Sequence, residues 1–341
     1  MSEPPAATRP PRWVRIINWL SLGCGALGLA WLVSHVGLRT LGERLGEVGG
    51  WFALVIAAVA IANTIDARII QLACSEPGAP LPYRSVLEAQ LAGHGVNQVT
   101  PGGNLGEVTK ITLLMQAGAP RGRAVSGVLL FNVVAVWVNV CVLTVGIPVM
   151  VRQAALPAQV EVGLWAAFAV AAGVGLLLAL LLLRGGMLAA LPRVLARLRV
   201  IGPARRQSWT ERLAVIDAQL AEFRGARLGD LGRALGMAIV SHLITQTESL
   251  LVLHALGVPL PVGFAVALLA AGMLIRWTAT VVPFGVGVSE GGNYALFDLL
   301  GVAPVMGLVL ALAQRARQLV FAALGLGLLA WAQARVRSRR I

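Results

Sequence analysis

Charge is scarce in this sequence. Of 341 residues, 13% are charged, where a soluble domain carries roughly 25%. Lysine is almost missing: Lys110 stands alone beside 27 arginines. The three cysteines, Cys24, Cys74 and Cys141, lie far apart, so neither a metal-ligand spacing nor a disulfide framework follows, and they read as small hydrophobes. Histidines number four, and His242 and His254 stand 12 positions apart, about 120° around a helix, so they share no face and no metal site is expected. A nucleotide-binding loop of the G-x-x-x-x-G-K-[ST] type is also missing. What is abundant is apolar surface: 57% of residues, with mean hydropathy +0.80. Disorder, a fibrous repeat and an ordinary cytosolic enzyme are excluded, and an integral membrane protein is expected.

Crossing the hydrocarbon as helix takes about 20 apolar residues. Six stretches qualify as full crossings: 16–36, 51–73, 122–151, 162–183, 234–256 and 304–332. Residues 1–15 form a polar, Pro-rich cytoplasmic segment ahead of a first helix that is expected to stay uncleaved. Pro148 is expected to end or bend the third crossing. Asp66 and Arg68 fall near the end of the second, where side chains snorkel to the interface. Residues 184–233 hold ten arginines against four acids. Trp209, Leu213, Ile216, Leu220 and Phe223 recur there at helical spacing, which fits either an amphipathic helix on an anionic leaflet or packing against the cytoplasmic helix ends. The division is a first membrane half, 16–183, the basic segment 184–233, a second half, 234–333, and a basic tail, 334–341.

The formal charge of +13 would raise nucleic-acid binding in a soluble protein, but here the arginines gather between hydrophobic spans. With the N-terminus, 184–233 and the tail in the cytoplasm, 17 arginines lie inside and three (Arg39, Arg44, Arg152) outside. An N-in, C-in protein of the bacterial inner membrane is expected, with membrane lipids, including anionic ones, as partners and no nucleic acid.

Two regions, 83–120 and 262–300, are too polar and too broken by Gly and Pro for simple crossings. They resemble each other. His94 stands seven positions before Pro101, and Arg276 seven before Pro283. Glu107 and Glu290 follow; seven residues beyond each stands a bulky apolar residue, Leu114 or Phe297, and eleven beyond each a glycine, Gly118 or Gly301. Six crossings return the chain to the cytoplasm only if each broken region enters and leaves on one side. The expected fold is therefore an all-α polytopic membrane protein with about six full transmembrane helices plus two re-entrant helical hairpins in an inverted repeat. Pro101, Gly102, Gly103 and Gly106 would break one hairpin; Pro283, Gly285 and Gly287 would break the other. Such breaks are tolerated where protein buries them or a wet cavity lies alongside.

Intramembrane charge marks the candidate site, for lipid binding or transport and not for catalysis. Glu107 and Glu290 read either as coupling or arginine-holding carboxylates or as caps that fix the hairpins. Arg276 offers a planar fork to a phosphate or carboxylate, or is neutralised by Glu290 or Glu248. His94 could donate to a phosphate, titrate, or fill the core. Asn97, Gln98, Thr100, Asn104, Thr278 and Thr280 either line a polar cavity or satisfy broken backbone. Glu248 near mid-span must pair or face water, and Arg315 and Arg317 interrupt the last helix, where Asp298, Glu248 or a lipid head could meet them. Lys110, Arg121 and Arg123 read as lying nearer the cytoplasmic surface, explained by charge retention there.

The blocks QVTPGGNLGEVTK (98–110) and PFGVGVSEGG (283–292), with the arginine-bearing last helix, resemble the transmembrane flippase domain of the lysylphosphatidylglycerol synthase/flippase family, the multiple peptide resistance factors. The resemblance covers residues 15–333. It implies re-entrant helices, internal symmetry and movement of a lipid between leaflets, with Glu107 and Glu290 as the family's paired acidic positions and Arg315 or Arg317 as its last-helix arginine. Since the sequence stops at Ile341, it further implies a stand-alone member without the aminoacyl-transferase domain, of the kind linked to hopanoid or other isoprenoid lipids. The expected function is a flippase-like lipid transporter with no cofactor. Alternatives are a membrane-embedded enzyme acting on lipid head groups, with Glu107 or Glu290 as base, and a non-catalytic scaffold docking through 184–233. The small-residue stretches GCGALG and ALGLGLLAWA can pack internally or against another copy as a homo-oligomer.

Overall fold

The computed structural model describes residues 39, 43, 46–76, 79–100, 105–153, 156–184, 228–279 and 287–338. Nine helices carry the described chain. They are α1 (Trp51–Cys74), α2 (Tyr83–Val99), α3 (Leu105–Gln116), α4 (Arg121–Gln153), α5 (Ala158–Arg184), α6 (Leu228–Ala255), α7 (Val262–Ala279), α8 (Val288–Leu299) and α9 (Pro304–Ser338). The expected crossing at 16–36, most of the basic segment 184–233 and the end of the tail lie outside the described residues.

Six of the nine are long and apolar enough to cross a bilayer: α1, α4, α5, α6, α7 and α9. Five coincide with expected crossings; the sixth, α7, lies in the second broken region. By helix rise α1 extends about 36 Å and α4 about 50 Å, both beyond the roughly 30 Å of hydrocarbon. Pro148 does not end α4, which runs on to Gln153. Proline removes one N–H and crowds the preceding turn; at this place the helix continues through it.

Two short helices, α3 and α8, each have 12 residues and the same ending. Gly118 (φ +102°) and Gly301 (φ +71°) take the left-handed conformation that side chains with a Cβ avoid. The N–H after each glycine returns to a carbonyl five residues back: Ala119 to Leu114 at 3.0 Å and Val302 to Phe297 at 2.9 Å. Leu114 and Phe297 are fully buried and anchor the two stops. These are the bulky residues and glycines that the sequence spaces equally after Glu107 and Glu290.

Helix neighbours follow an orderly exchange. Helices α1 and α6 lie against each other; α2 lies on α9, and α7 lies on α4. Helix α3 contacts α2 and α4, as α8 contacts α7 and α9. Two apolar cores result. One gathers Ile69, Ile70, Val86, Leu114 and Leu130; the other gathers Leu143, Leu253, Met273, Phe297 and Leu308. Both include residues of α4 and of α6, which tie them together. Helix α5 differs: Val162, Val170 and Leu176 are 70%, 66% and 63% exposed, an apolar face turned outward.

Candidate functional site

Glu107 opens α3. Its Oε1 accepts from Asn97 Nδ2 and from Lys110 Nζ, both at 3.0 Å, and its Oε2 accepts from Asn132 Nδ2 at 3.0 Å. Asn97 completes the junction from α2, its Oδ1 accepting the Gly106 backbone N–H at 2.7 Å. One amide thus caps the first turn of α3 and holds its carboxylate. Such contact needs α2 and α3 very close. A Cβ on Gly106 would lie 2.1 Å from the Gly93 carbonyl, and one on Gly93 would strike the Lys110 side chain. Lys110 is buried at 4% exposure, with its ammonium 5.3 Å from the centre of the Phe131 ring.

Glu290 opens α8 in the same way and is fully buried. Its Oε2 accepts the Gly287 backbone N–H at 2.8 Å, closing the first turn; Gly287 itself has φ +80°. Its Oε1 accepts from Arg315 Nε of α9. Arg315 follows Glu290 by 25 residues, and Asn132 follows Glu107 by the same 25. Lys110 follows Glu107 by three; three after Glu290 stands Asn293, whose amide bonds the Ser289 carbonyl at 2.8 Å. Cation and amide have exchanged places between the two sites. Each glutamate is balanced by one cation: from its own short helix in the first case, from the following long helix in the second.

A second buried ion pair crosses between α9 and α6, with Arg317 Nε donating to Glu248 Oε1 at 2.7 Å. Arg276 at the end of α7 donates from Nη2 to Gln246 Oε1 at 3.1 Å. Gln246, Ser249, Arg276, Ser289, Asn293 and Gln314 surround a narrow polar cleft among α6, α7, α8 and α9, with about 10 Å³ open to a water-sized sphere, room for one water. Gln314 Nε2 donates to Ser249 Oγ at 3.2 Å. Gln246 Nε2 and Arg315 Nη2 are buried without a hydrogen-bond partner among the described residues. An unmet buried donor costs about 1–3 kcal/mol, and of these two Gln246 lines the cleft. Arg276 lies exposed at its mouth.

A family model described as the lysylphosphatidylglycerol synthase TM region matches residues 18–325. The chain belongs to that family. No curated protein and no solved structure matches it. In this member of the lysylphosphatidylglycerol synthase TM family, the matched stretch contains both short helices and every buried ion pair described above.

The residues singled out from the sequence fall into three groups. Asn97, Gly106 and Glu107 meet at the α2–α3 junction; Gly287, Glu290 and Arg315 meet at the start of α8; Glu248 pairs with Arg317. His94 stays apart from the acids' first partners, sharing a 3.1 Å contact with Gln98 Nε2 and an edge-on contact with Phe321. Pro101, Gly102, Gly103, Asn104, Thr280, Pro283 and Gly285 lie outside the described residues.

One reading changes and two gain detail. Lys110 is not a surface cation: it is buried and holds Glu107, because α3 turns that face toward α2 and α4. Arg276 donates to Gln246, and Arg315 and Arg317 hydrogen-bond Glu290 and Glu248, the acids considered for it. Asp66 accepts from Ser241 of α6 at 2.6 Å, so it serves the α1–α6 contact. Asn132 had no sequence signal except its spacing from Glu107, the same as that between Glu290 and Arg315.

Proposed function

We propose that this protein moves an amphipathic lipid with an anionic head between the leaflets of a bacterial cytoplasmic membrane. In this reading α2–α3 and α7–α8 are re-entrant hairpins, entering the bilayer from opposite faces as two copies of an inverted repeat. The observation that carries it is the pair of glutamates at the same place in two short helices, each held by the residue 25 positions on. A helix that starts within the bilayer leaves its first N–H groups without water, and each must find a partner. Glu290 takes the Gly287 N–H directly, and Glu107 is fixed by the amide that takes the Gly106 N–H. Further support comes from α2, which at 17 residues rises only about 26 Å, under the roughly 30 Å of hydrocarbon.

The polar cleft is where a head group passes. Arg276 presents a planar fork suited to a phosphate, and Gln246 Nε2 supplies a second donor behind it. The lipid tails stay in hydrocarbon along the outer helix faces. The ion pairs Glu290–Arg315 and Glu248–Arg317 hold the cleft's walls without adding net charge. Reconstitution tests the reading directly. Vesicles holding the folded protein should move fluorescent-headed phosphatidylglycerol across the bilayer faster than protein-free vesicles, measured by quenching of the outer leaflet. Arg276→Gln should lower that rate about tenfold, the loss of one charge-assisted bond. A folded preparation that accelerates no lipid head group sinks the proposal.

A further inference from the structure

Along the α1–α6 contact, lined by neither glutamate, lies an open groove of about 520 Å³. Its floor and walls are Thr64, Ile65 and Arg68 of α1, Gly236 and Val240 of α6, and Tyr83 at the start of α2. The volume is that of a small-molecule site, and the surface is mostly apolar. Gly236 keeps it open, since a Cβ there would meet nothing within 4 Å. Tyr83 fixes one end by donating its hydroxyl to the Thr64 carbonyl at 2.8 Å.

Arg68 is the only ionisable cation among the lining residues, and none of them is acidic. Its guanidinium is exposed yet held: Nη1 donates to Gln71, whose own amide is anchored on the Leu81 carbonyl. Of five N–H donors, one is committed to Gln71 in this way. A fork fixed at one tooth, above an apolar trough, suits a ligand with a phosphate at one end and a hydrocarbon chain at the other. The trough sits toward the end of α1 and the start of α6, which follows the arginine-rich stretch in sequence. Positive-inside counting puts that side in the cytoplasm, where the leaflet is anionic.

We infer that this groove binds one anionic glycerophospholipid of that leaflet, its phosphate on Arg68 and an acyl chain over Gly236. The site is separate from the proposed translocation cleft and binds whether or not the protein moves lipid. Its place on the α1–α6 contact makes the lipid a wedge between the N-terminal and C-terminal helices.

Native mass spectrometry of the full chain in detergent, supplied with phosphatidylglycerol or phosphatidylcholine, tests the inference. The expected result is one phosphatidylglycerol retained in preference to phosphatidylcholine, with retention about tenfold weaker in Arg68→Gln. Gly236→Leu should weaken it as much by filling the trough, and being a helix-favouring change into open space it keeps the fold. Glycerol phosphate should not compete, because it lacks the chain. Equal retention of phosphatidylcholine, unchanged retention in Gly236→Leu, or displacement by glycerol phosphate overturns the site. Because retention is read at equilibrium, a protein that translocates nothing can still satisfy this test, and a working translocator can still fail it.

Discussion

Glu107 and Glu290 hold equivalent places with unlike means. At the first, Lys110 supplies the charge and Asn132 the neutral bond; at the second, Arg315 supplies the charge and Asn293 sits where the lysine would be. An ionised carboxylate away from water needs one countercharge and does not need it from one direction. Lys110→Asn should therefore destabilise the protein by about 3 kcal/mol, the lower end for breaking a buried pair, because Glu107 keeps some exposure. Adding Asn132→Lys to Lys110→Asn, which copies the arrangement at Glu290, should restore most of the loss. Thermal melting in detergent reads both; a double variant no more stable than Lys110→Asn would show that position, and not charge, is what Glu107 requires. The glutamates were legible in the sequence because acids at depth are rare. Their partners were not. An asparagine in an apolar run looks harmless, and only the tertiary contact reveals that Asn132 faces Glu107. Lys110 misled because its depth depends on which face α3 turns inward, and one helical turn of sequence does not fix that.

Helix contacts here are set by glycines as much as by large residues. The α2–α3 junction depends on Gly93 meeting Gly106, and α2 on α9 depends on Gly95 meeting Gly325. A Cβ on Gly106 would press on backbone, which cannot swing aside as a side-chain tip can. Gly106→Ala should cost about 1–3 kcal/mol by forcing the two helices apart. Gly236→Ala, where a Cβ meets nothing, should gain up to about 1 kcal/mol. Chemical denaturation of the two variants separates close contact from mere glycine content. The stops of α3 and α8 were readable in advance, since a glycine after a buried apolar residue is a local signal. Which distant helices α2 and α7 would also lie against was not readable, because α2 packs on α9 and α7 on α4, far along the chain. Likewise α7, rich in alanine and leucine, meets the length and apolarity of a crossing although the sequence reading puts it in a broken region.

For the molecule as a whole, composition alone gave the membrane class, and arginine placement gave an orientation. Gln159 at the start of α5 and Arg233 near the start of α6 are exposed and lie on opposite sides in that orientation. In a cysteine-free background, Gln159→Cys should react with an impermeant maleimide on intact cells, and Arg233→Cys only after permeabilisation. Reversed labelling would invert the topology and move the Arg68 groove to the other leaflet. The outward apolar face of α5 fits lipid contact, and its residues need no protein partner to explain them.

The crossed arrangement of α2 on α9 and α7 on α4 bears on how the protein can be assembled. Cut between α5 and α6, α2 would lose α9 and α7 would lose α4, for each half supplies a wall to the other. Such fragments would have to be made together and find each other in the bilayer. The chain is thus a clasp of two hands with fingers interlaced.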